Sequence, residues 1–188
     1  MKRSLLIGLF SLTLMLNACK SSIVEQQSNI SSNVREALNQ LKGTWVLKRR
    51  FLSDAYDTPC GYATQEQSRD ITLTFTDEIA PNSASDTLAY TINGVSTVNY
   101  YMGTVKIKSF SGSSVGTIKI GAFASTKMAG TPEMNNCEMN YFDFLSHSSD
   151  FSLVNNADNV QELRLGNFYH GTTPSRDGGT YLIFERSK

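Results

Sequence analysis

From Thr44 onward, apolar residues recur at every second position. In Asp70–Thr76 (DITLTFT), Ile71, Leu73 and Phe75 fall on one face, as in a strand with one side buried. Thr44–Leu52, Thr87–Ile92, Val95–Tyr101, Val105–Phe110, Val115–Ile120, Phe151–Val154, Gln161–Leu165 and Thr180–Glu185 read the same way, nine strands in all. Asn93-Gly94 is the dipeptide favoured in two-residue hairpins and predicts a turn there. Two stretches carry the helical period instead. Asn33 as cap, Glu36 three residues on, a stripe of Val34, Leu38 and Leu41, and Gly43 as stop predict a short helix over 33–42. Thr131 as cap, Pro132 in the first turn and Glu133 against the helix dipole open a second helix, running to about Ser146. Met134, Cys137, Tyr141, Phe144 and Leu145 share its inner face. The strands with one inserted helix predict a mainly β domain, a small, partly open antiparallel barrel or sandwich.

The first 18 residues follow neither period. Met1-Lys2-Arg3 is a positive start, and Leu5–Leu16 is an apolar run of twelve residues broken only by Gly8, Ser11 and Thr13. That run is short of the roughly 20 residues a spanning helix needs and suits a signal-peptide core. It closes on Leu16-Asn17-Ala18-Cys19, which resembles the lipobox of bacterial lipoproteins. The resemblance implies a cleaved leader over 1–18 and a lipid, palmitate among its acyl chains, on Cys19. The alternative is an ordinary secreted protein with a chance cysteine after its cleavage site. Residues 19–32 are polar and read as a flexible tether with a coil reach of about 20 Å, ahead of the 33–42 helix and a domain over 43–188. Lys20 after the cysteine favours the outer membrane, by resemblance to proteobacterial sorting. The lack of an acidic cluster over Lys20–Glu25 favours its periplasmic face, with surface exposure left open.

Composition trims the functional classes. Lys plus Arg and Asp plus Glu are 17 each, so the basic excess that nucleic-acid binding uses is missing. Removing residues 1–18 of 188 leaves 170, with 15 basic and 17 acidic side chains. Two His and three Cys are too few for a zinc finger or a multi-His centre, and no metal or other cofactor is expected. With Cys19 acylated, Cys60 and Cys137 remain, an even pair in an oxidising compartment, and a disulfide between them is expected. It would staple the polar loop before Asp70 to the second helix, worth about 4–5 kcal/mol by chain entropy. Two free thiols are the alternative.

Candidate chemistry is sparse. Gly112-Ser113-Ser114-Val115-Gly116 matches G-x-S-x-G, but Thr117–Ile120 alternates like a strand where a nucleophile elbow needs a helix. His147 and His170 are the available bases, and neither is read as having a near acidic neighbour to orient it. Asp77-Glu78 and Asp158-Asn159 read as turns, and no P-loop, dinucleotide fingerprint, EF-hand or H-E-x-x-H occurs. Tyr100 and Tyr101 point to opposite faces of a strand, so one is core and the other is free to line a surface. Lys127 interrupts an apolar motif and reads as a solvated or an interacting side chain.

That motif carries a resemblance. Gly121–Gly130 (GAFASTKMAG), with Thr126 and Met128, is similar to the "iasTrMAC" segment of the META domain, the family of the heat-shock protein HslJ. The acidic helix expected after it is Glu133–Leu145, and Val98–Gly103 (VNYYMG), with Asn99 and Gly103, resembles the family's Cys-Asn-x-Phe-x-Gly. Gly43-Thr44-Trp45 matches the opening Gly-x-Trp, and Leu182-Ile183-Phe184 the closing strand. The family often has Cys where Val98 and Gly130 stand, and losing both together fits a pair in relatives. Trp45, Asn99, Gly103, Thr126 and Met128 are thus expected as structural motif residues.

The resemblance implies a non-enzymatic, lipid-anchored envelope protein linked to envelope stress or antibiotic tolerance, with no catalytic residues. A periplasmic ligand-binding or inhibitor lipoprotein is the alternative, and a serine hydrolase using Ser114 is a third class. The expected partners are the membrane, through the lipid, and a protein of the envelope, with the chain itself a monomer.

Overall fold

The computed structural model describes residues 31–58, 69–81, 83, 88–112, 114–168, 170 and 178–187. The leader, Cys19, most of the tether and Cys60 lie outside them. Helix α1 (Ser32–Leu41) precedes strands β1 (Gly43–Leu52), β2 (Ala55–Asp57), β3 (Thr72–Ile79), β4 (Tyr90–Val95), β5 (Tyr100–Phe110), β6 (Val115–Ile120) and β7 (Ala124–Ser125). Helix α2 (Pro132–Ser146) follows, then β8 (Asp150–Asn155), β9 (Gln161–Phe168) and β10 (Gly179–Arg186).

Eight of these strands form a closed antiparallel ring in the order β1-β3-β4-β5-β6-β8-β9-β10, and the β10–β1 pair shuts it. The expected antiparallel barrel with an inserted helix is therefore present, closed by the β10–β1 pair where the sequence predicts a partly open one. Closure leaves the ring without free edges. Among the described residues, short β2 pairs only with β1, and β7 only with the start of β5.

The period-2 residues fill the interior. Trp45, Leu73, Phe75, Ile92, Val105, Phe151, Leu163, Leu165 and Phe184 are all essentially inaccessible. β10 is buried on both faces over Tyr181–Phe184 because its outer face is covered as well. There Tyr181 stacks on Phe51, and buried Glu162 accepts from Arg49 at 2.9 Å.

The helices close the two mouths. α1 buries Ala37, Leu38 and Leu41, and the Trp45 indole donates to the Leu41 carbonyl at 2.7 Å. Arg186 lies 4.4 Å over the Trp45 ring and donates to the Lys42 and Gln40 carbonyls, locking α1 to the end of β10. The cap of α1 is Ser31, not Asn33; its hydroxyl accepts from Val34 N–H, so the helix starts one residue earlier than the sequence predicts. α2 has the expected Thr131 cap and buries Cys137, Tyr141 and Leu145 at the opposite mouth.

One expected turn is not a turn. Asn93-Gly94 lies inside β4, opposite Met102 and Tyr101, and the chain reverses later, over Ser96–Asn99. Gly94 serves packing instead. A Cβ there would sit 2.0 Å from the Thr72 carbonyl and 2.6 Å from the Tyr101 hydroxyl. Its absence lets that hydroxyl reach the Thr72 carbonyl at 2.8 Å.

Candidate functional site

The β4–β5 turn brings the motif residues together at the α2 end of the barrel. Ser96 N–H donates to the Asn99 carbonyl at 2.8 Å, which closes the turn. Asn99 is thereby buried, at 5 % exposure, and its amide works in two directions. Nδ2 donates to Glu138 Oε1 of α2 at 2.7 Å. Oδ1 accepts from Thr126 Oγ1 at 2.9 Å and from Met128 N–H at 2.7 Å. Glu138 Oε2 accepts in turn from Asn99 N–H, at 2.9 Å, and from the Ser96 hydroxyl. Burial works against this carboxylate, but the bonds from Ser96 and Asn99 outweigh it and hold it below its ordinary value. Thr97 Oγ1 adds a bond to the Met134 carbonyl at 2.9 Å. One side chain thus braces a turn, a helix and the segment after β7.

Gly103 sits beside this brace because Phe123 lies on it; a Cβ would be 2.6 Å from the Phe123 ring. Phe123 and Phe142 stack at 5.5 Å, and Tyr101 meets Phe142 edge-on at 5.2 Å. The Tyr101 and Tyr141 hydroxyls are 2.7 Å apart, and burial pushes both phenols above their ordinary range. Tyr101 is therefore the core tyrosine, whereas Tyr100 is 57 % exposed. Arg69 Nε and Nη2 donate to the Ser96 and Val98 carbonyls, and its guanidinium lies 5.0 Å over the Tyr100 ring. Arg69, Val98, Met128 and Met134 flank a shallow groove of about 630 Å³.

Asn99, Thr126 and Met128 are thus in one network, with Gly103 adjoining. Trp45 is apart from them, at the α1 mouth. Val98 and Gly130 are neighbours: a Cβ on Gly130 would be 2.5 Å from Val98 Cγ2. Cys137 is buried on α2 and disulfide-bonded; the partner lies outside the described residues, as Cys60 does. Sequence reasoning missed Glu138, Ser96 and Arg69. Glu138 reads as an ordinary polar position of an acidic helix, and its partners stand 39 and 42 residues upstream.

The catalytic candidates fall elsewhere. Ser114 lies in the β5–β6 hairpin, with a strand on each side rather than the strand-to-helix turn of a nucleophile elbow. Both histidines do have acidic neighbours, contrary to the sequence reading. His147 Nδ1 is 3.3 Å from Asp143 Oδ1 and 3.3 Å from Ser146 Oγ. Both approach the same nitrogen, whereas a Ser-His-Asp relay uses the two ring nitrogens separately. His170 Nε2 is 3.2 Å from buried Asp150, whose Oδ2 also accepts from Ser149 Oγ at 3.0 Å. That hydroxyl is on the carboxylate rather than the imidazole.

The family model of the META domain matches residues 36–173. The chain belongs to the META domain family. Within this META domain the matched stretch holds the Asn99 brace, α2 and all but the last strand of the ring. Among solved structures, the META chain is similar to an NMR structure of a protein from Burkholderia xenovorans. That likeness has 23 % identity and a TM-score of 0.51, covers 81 % of this chain and 87 % of the other, and speaks to the fold alone. No curated protein matches the chain.

Proposed function

We propose that this META protein is a lipid-anchored, non-enzymatic component of the bacterial envelope. It is held in the outer membrane by acylated Cys19, faces the periplasm, and acts in envelope stress or antibiotic tolerance by binding. The observation that carries the non-enzymatic part is how the motif spends its polar atoms. Asn99 Oδ1 and Nδ2, both Glu138 oxygens and the Thr126 hydroxyl are engaged with one another or with backbone. A group so engaged braces a surface and is poorly placed to attack a substrate. The anchoring part rests on Leu16-Asn17-Ala18-Cys19. Pairing of Cys60 with Cys137 belongs to the same reading, since acylation removes Cys19 as a competitor.

Fractionation of the native host tests the anchor: wild type sediments with outer membrane and Cys19→Ser does not. Cofractionation of Cys19→Ser sinks it. Incubation with a fluorophosphonate probe tests the rest, where labelling abolished by Ser114→Ala would establish a hydrolase instead. The role in tolerance requires that a deletion strain lose survival under novobiocin and regain it with wild type but not with Cys19→Ser.

A second reading, a ligand-binding or inhibitor lipoprotein, is favoured by the groove flanked by Arg69, Val98, Met128 and Met134. Pull-down from envelope extract under the same stress separates a binding module from a purely structural one.

A further inference from the structure

The segment following β7 is built like the open edge of a sheet. Thr126 N–H donates to the Tyr100 carbonyl at 3.0 Å, and Met128 N–H to Asn99 Oδ1 at 2.7 Å, so alternate amides are spent on the barrel. The interleaved N–H groups of Lys127 and Ala129 donate to nothing among the described residues, and residues 124–129 are all solvent-exposed. In extended chain successive amides alternate sides, and the bonds of Thr126 and Met128 to the barrel alternate with the two N–H groups that have no partner among the described residues. An edge of this kind templates a further strand.

The flanks say what kind of chain would add. Tyr100, Met102 and Met128 are 57 %, 59 % and 51 % exposed around this edge, an apolar surface with adaptable thioethers. Two cations flank it, Lys127 and Arg69, and neither has an ion-pair partner among the described residues. Two of the three neighbouring carboxylates are otherwise engaged, and Asp70 is not. Glu133 is held by its own helix terminus and by Thr131, Glu138 is inside the brace, and Asp70 is exposed without an ion pair.

We propose that the exposed 124–129 edge receives an extended segment of a partner protein, alternating apolar and acidic residues, which adds as a strand beside β7. The inference rests on the binding role proposed above and gives that role a place and a partner chemistry. The brace supplies the rigidity: Asn99 pins Met128 from inside, between the two free amides.

The test uses the full-length lipoprotein in detergent with an acetylated heptapeptide alternating valine and glutamate. Its valine–lysine counterpart and a fully N-methylated glutamate peptide are the controls. Hydrogen-exchange mass spectrometry should show protection of residues 124–130 by the glutamate peptide only. Lys127→Glu should weaken binding about fivefold, the worth of one exposed ion pair. Lys127→Pro removes a free N–H without breaking an internal bond and should abolish protection while leaving the melting temperature within a few degrees; Ala129→Pro serves if it does not fold. No protection by the glutamate peptide, or equal protection by the lysine or N-methylated peptide, overturns the proposal. So does concentration-dependent protection without peptide, which would make the occupant a second copy of this chain. None of these outcomes depends on membrane fractionation, so the anchor assignment stands or falls separately.

Discussion

Replacing Asn99 by Asp swaps one amide nitrogen for oxygen at constant shape, and Nδ2 is the atom that faces Glu138 Oε1 at 2.7 Å. Two carboxylates then meet at hydrogen-bond distance. At that separation their repulsion is about 6 kcal/mol with an effective dielectric near 20 and about 1.5 kcal/mol in bulk water. Glu138 is half-buried and Asn99 buried, so about 3 kcal/mol is the working value after screening. The pair can escape by keeping a proton. Raising a carboxyl from its ordinary value to near 7 costs about 4 kcal/mol, so protonation caps the penalty without abolishing it. The sign is the reverse of that for the wild type. In the wild type, Glu138 is held below its ordinary value, so its contribution is present above about pH 4.5 and fades as pH falls through the lowered value. In Asn99→Asp the shared carboxyl is raised in the folded state, so stability is full below about pH 4 and is lost as pH rises.

Urea denaturation from pH 4 to 7 reads this directly, because Trp45 is the single tryptophan and is fully buried, so its fluorescence reports unfolding. The gap between wild type and Asn99→Asp should grow from near zero at pH 4 to about 3 kcal/mol at pH 7. Asn99→Ala is the control. It orphans the Met128 N–H at any pH and should cost about 2 kcal/mol, with most of that persisting at pH 4.5. A gap for Asn99→Asp that is flat across this range would refute the claim that Asn99 and Glu138 are directly bonded.

Val98→Cys with Gly130→Cys should form a disulfide under mild oxidation, seen as a non-reducing gel shift absent from either single variant, because the two positions already touch. Tyr101→Phe leaves the Tyr141 hydroxyl buried without its partner and should cost about 1–3 kcal/mol in urea denaturation. Gly103→Ala pushes a methyl group to 2.6 Å from the Phe123 ring and should lose about 1–3 kcal/mol, recovered in part by Phe123→Leu, which gives the ring's space back. In non-reduced, unfolded protein, maleimide should label neither Cys60 nor Cys137, and Cys60→Ser should expose one thiol on Cys137.

The legible parts are those where one face of a strand or helix alone carries the signal. Ile71, Leu73 and Phe75 alternate because the barrel wall has one inside, and the α2 cap at Thr131 is a local bond within three residues. The turn at Asn93-Gly94 was misplaced because that dipeptide has two uses. Here its glycine yields space to Tyr101, a need created by a strand seven residues away. β2 and β7, of three and two residues, have no buried face and so no period to detect. The brace was visible only as motif letters. Nothing local distinguishes Asn99 or Glu138 from surface residues, since the contact that buries one against the other spans 39 positions and exists only once the ring has closed.

The two ends of that ring differ in what they present. α1 fills the mouth formed by the start of β1 and the end of β10, and the described chain begins there, at Ser31. The brace, α2 and β7 lie at the other mouth, where β5 begins and β4 ends. Cys19 stands twelve positions before Ser31 in the sequence. In the anchoring proposed above the lipid would join the chain on the α1 side of the ring, and the 124–129 edge lies at the other mouth. An edge offered at that mouth must be kept in register by the protein itself. Asn99 meets that requirement, because it fixes Met128 while leaving Lys127 and Ala129 free on either side. The same bonds that look wasted as chemistry are therefore what a binding edge needs.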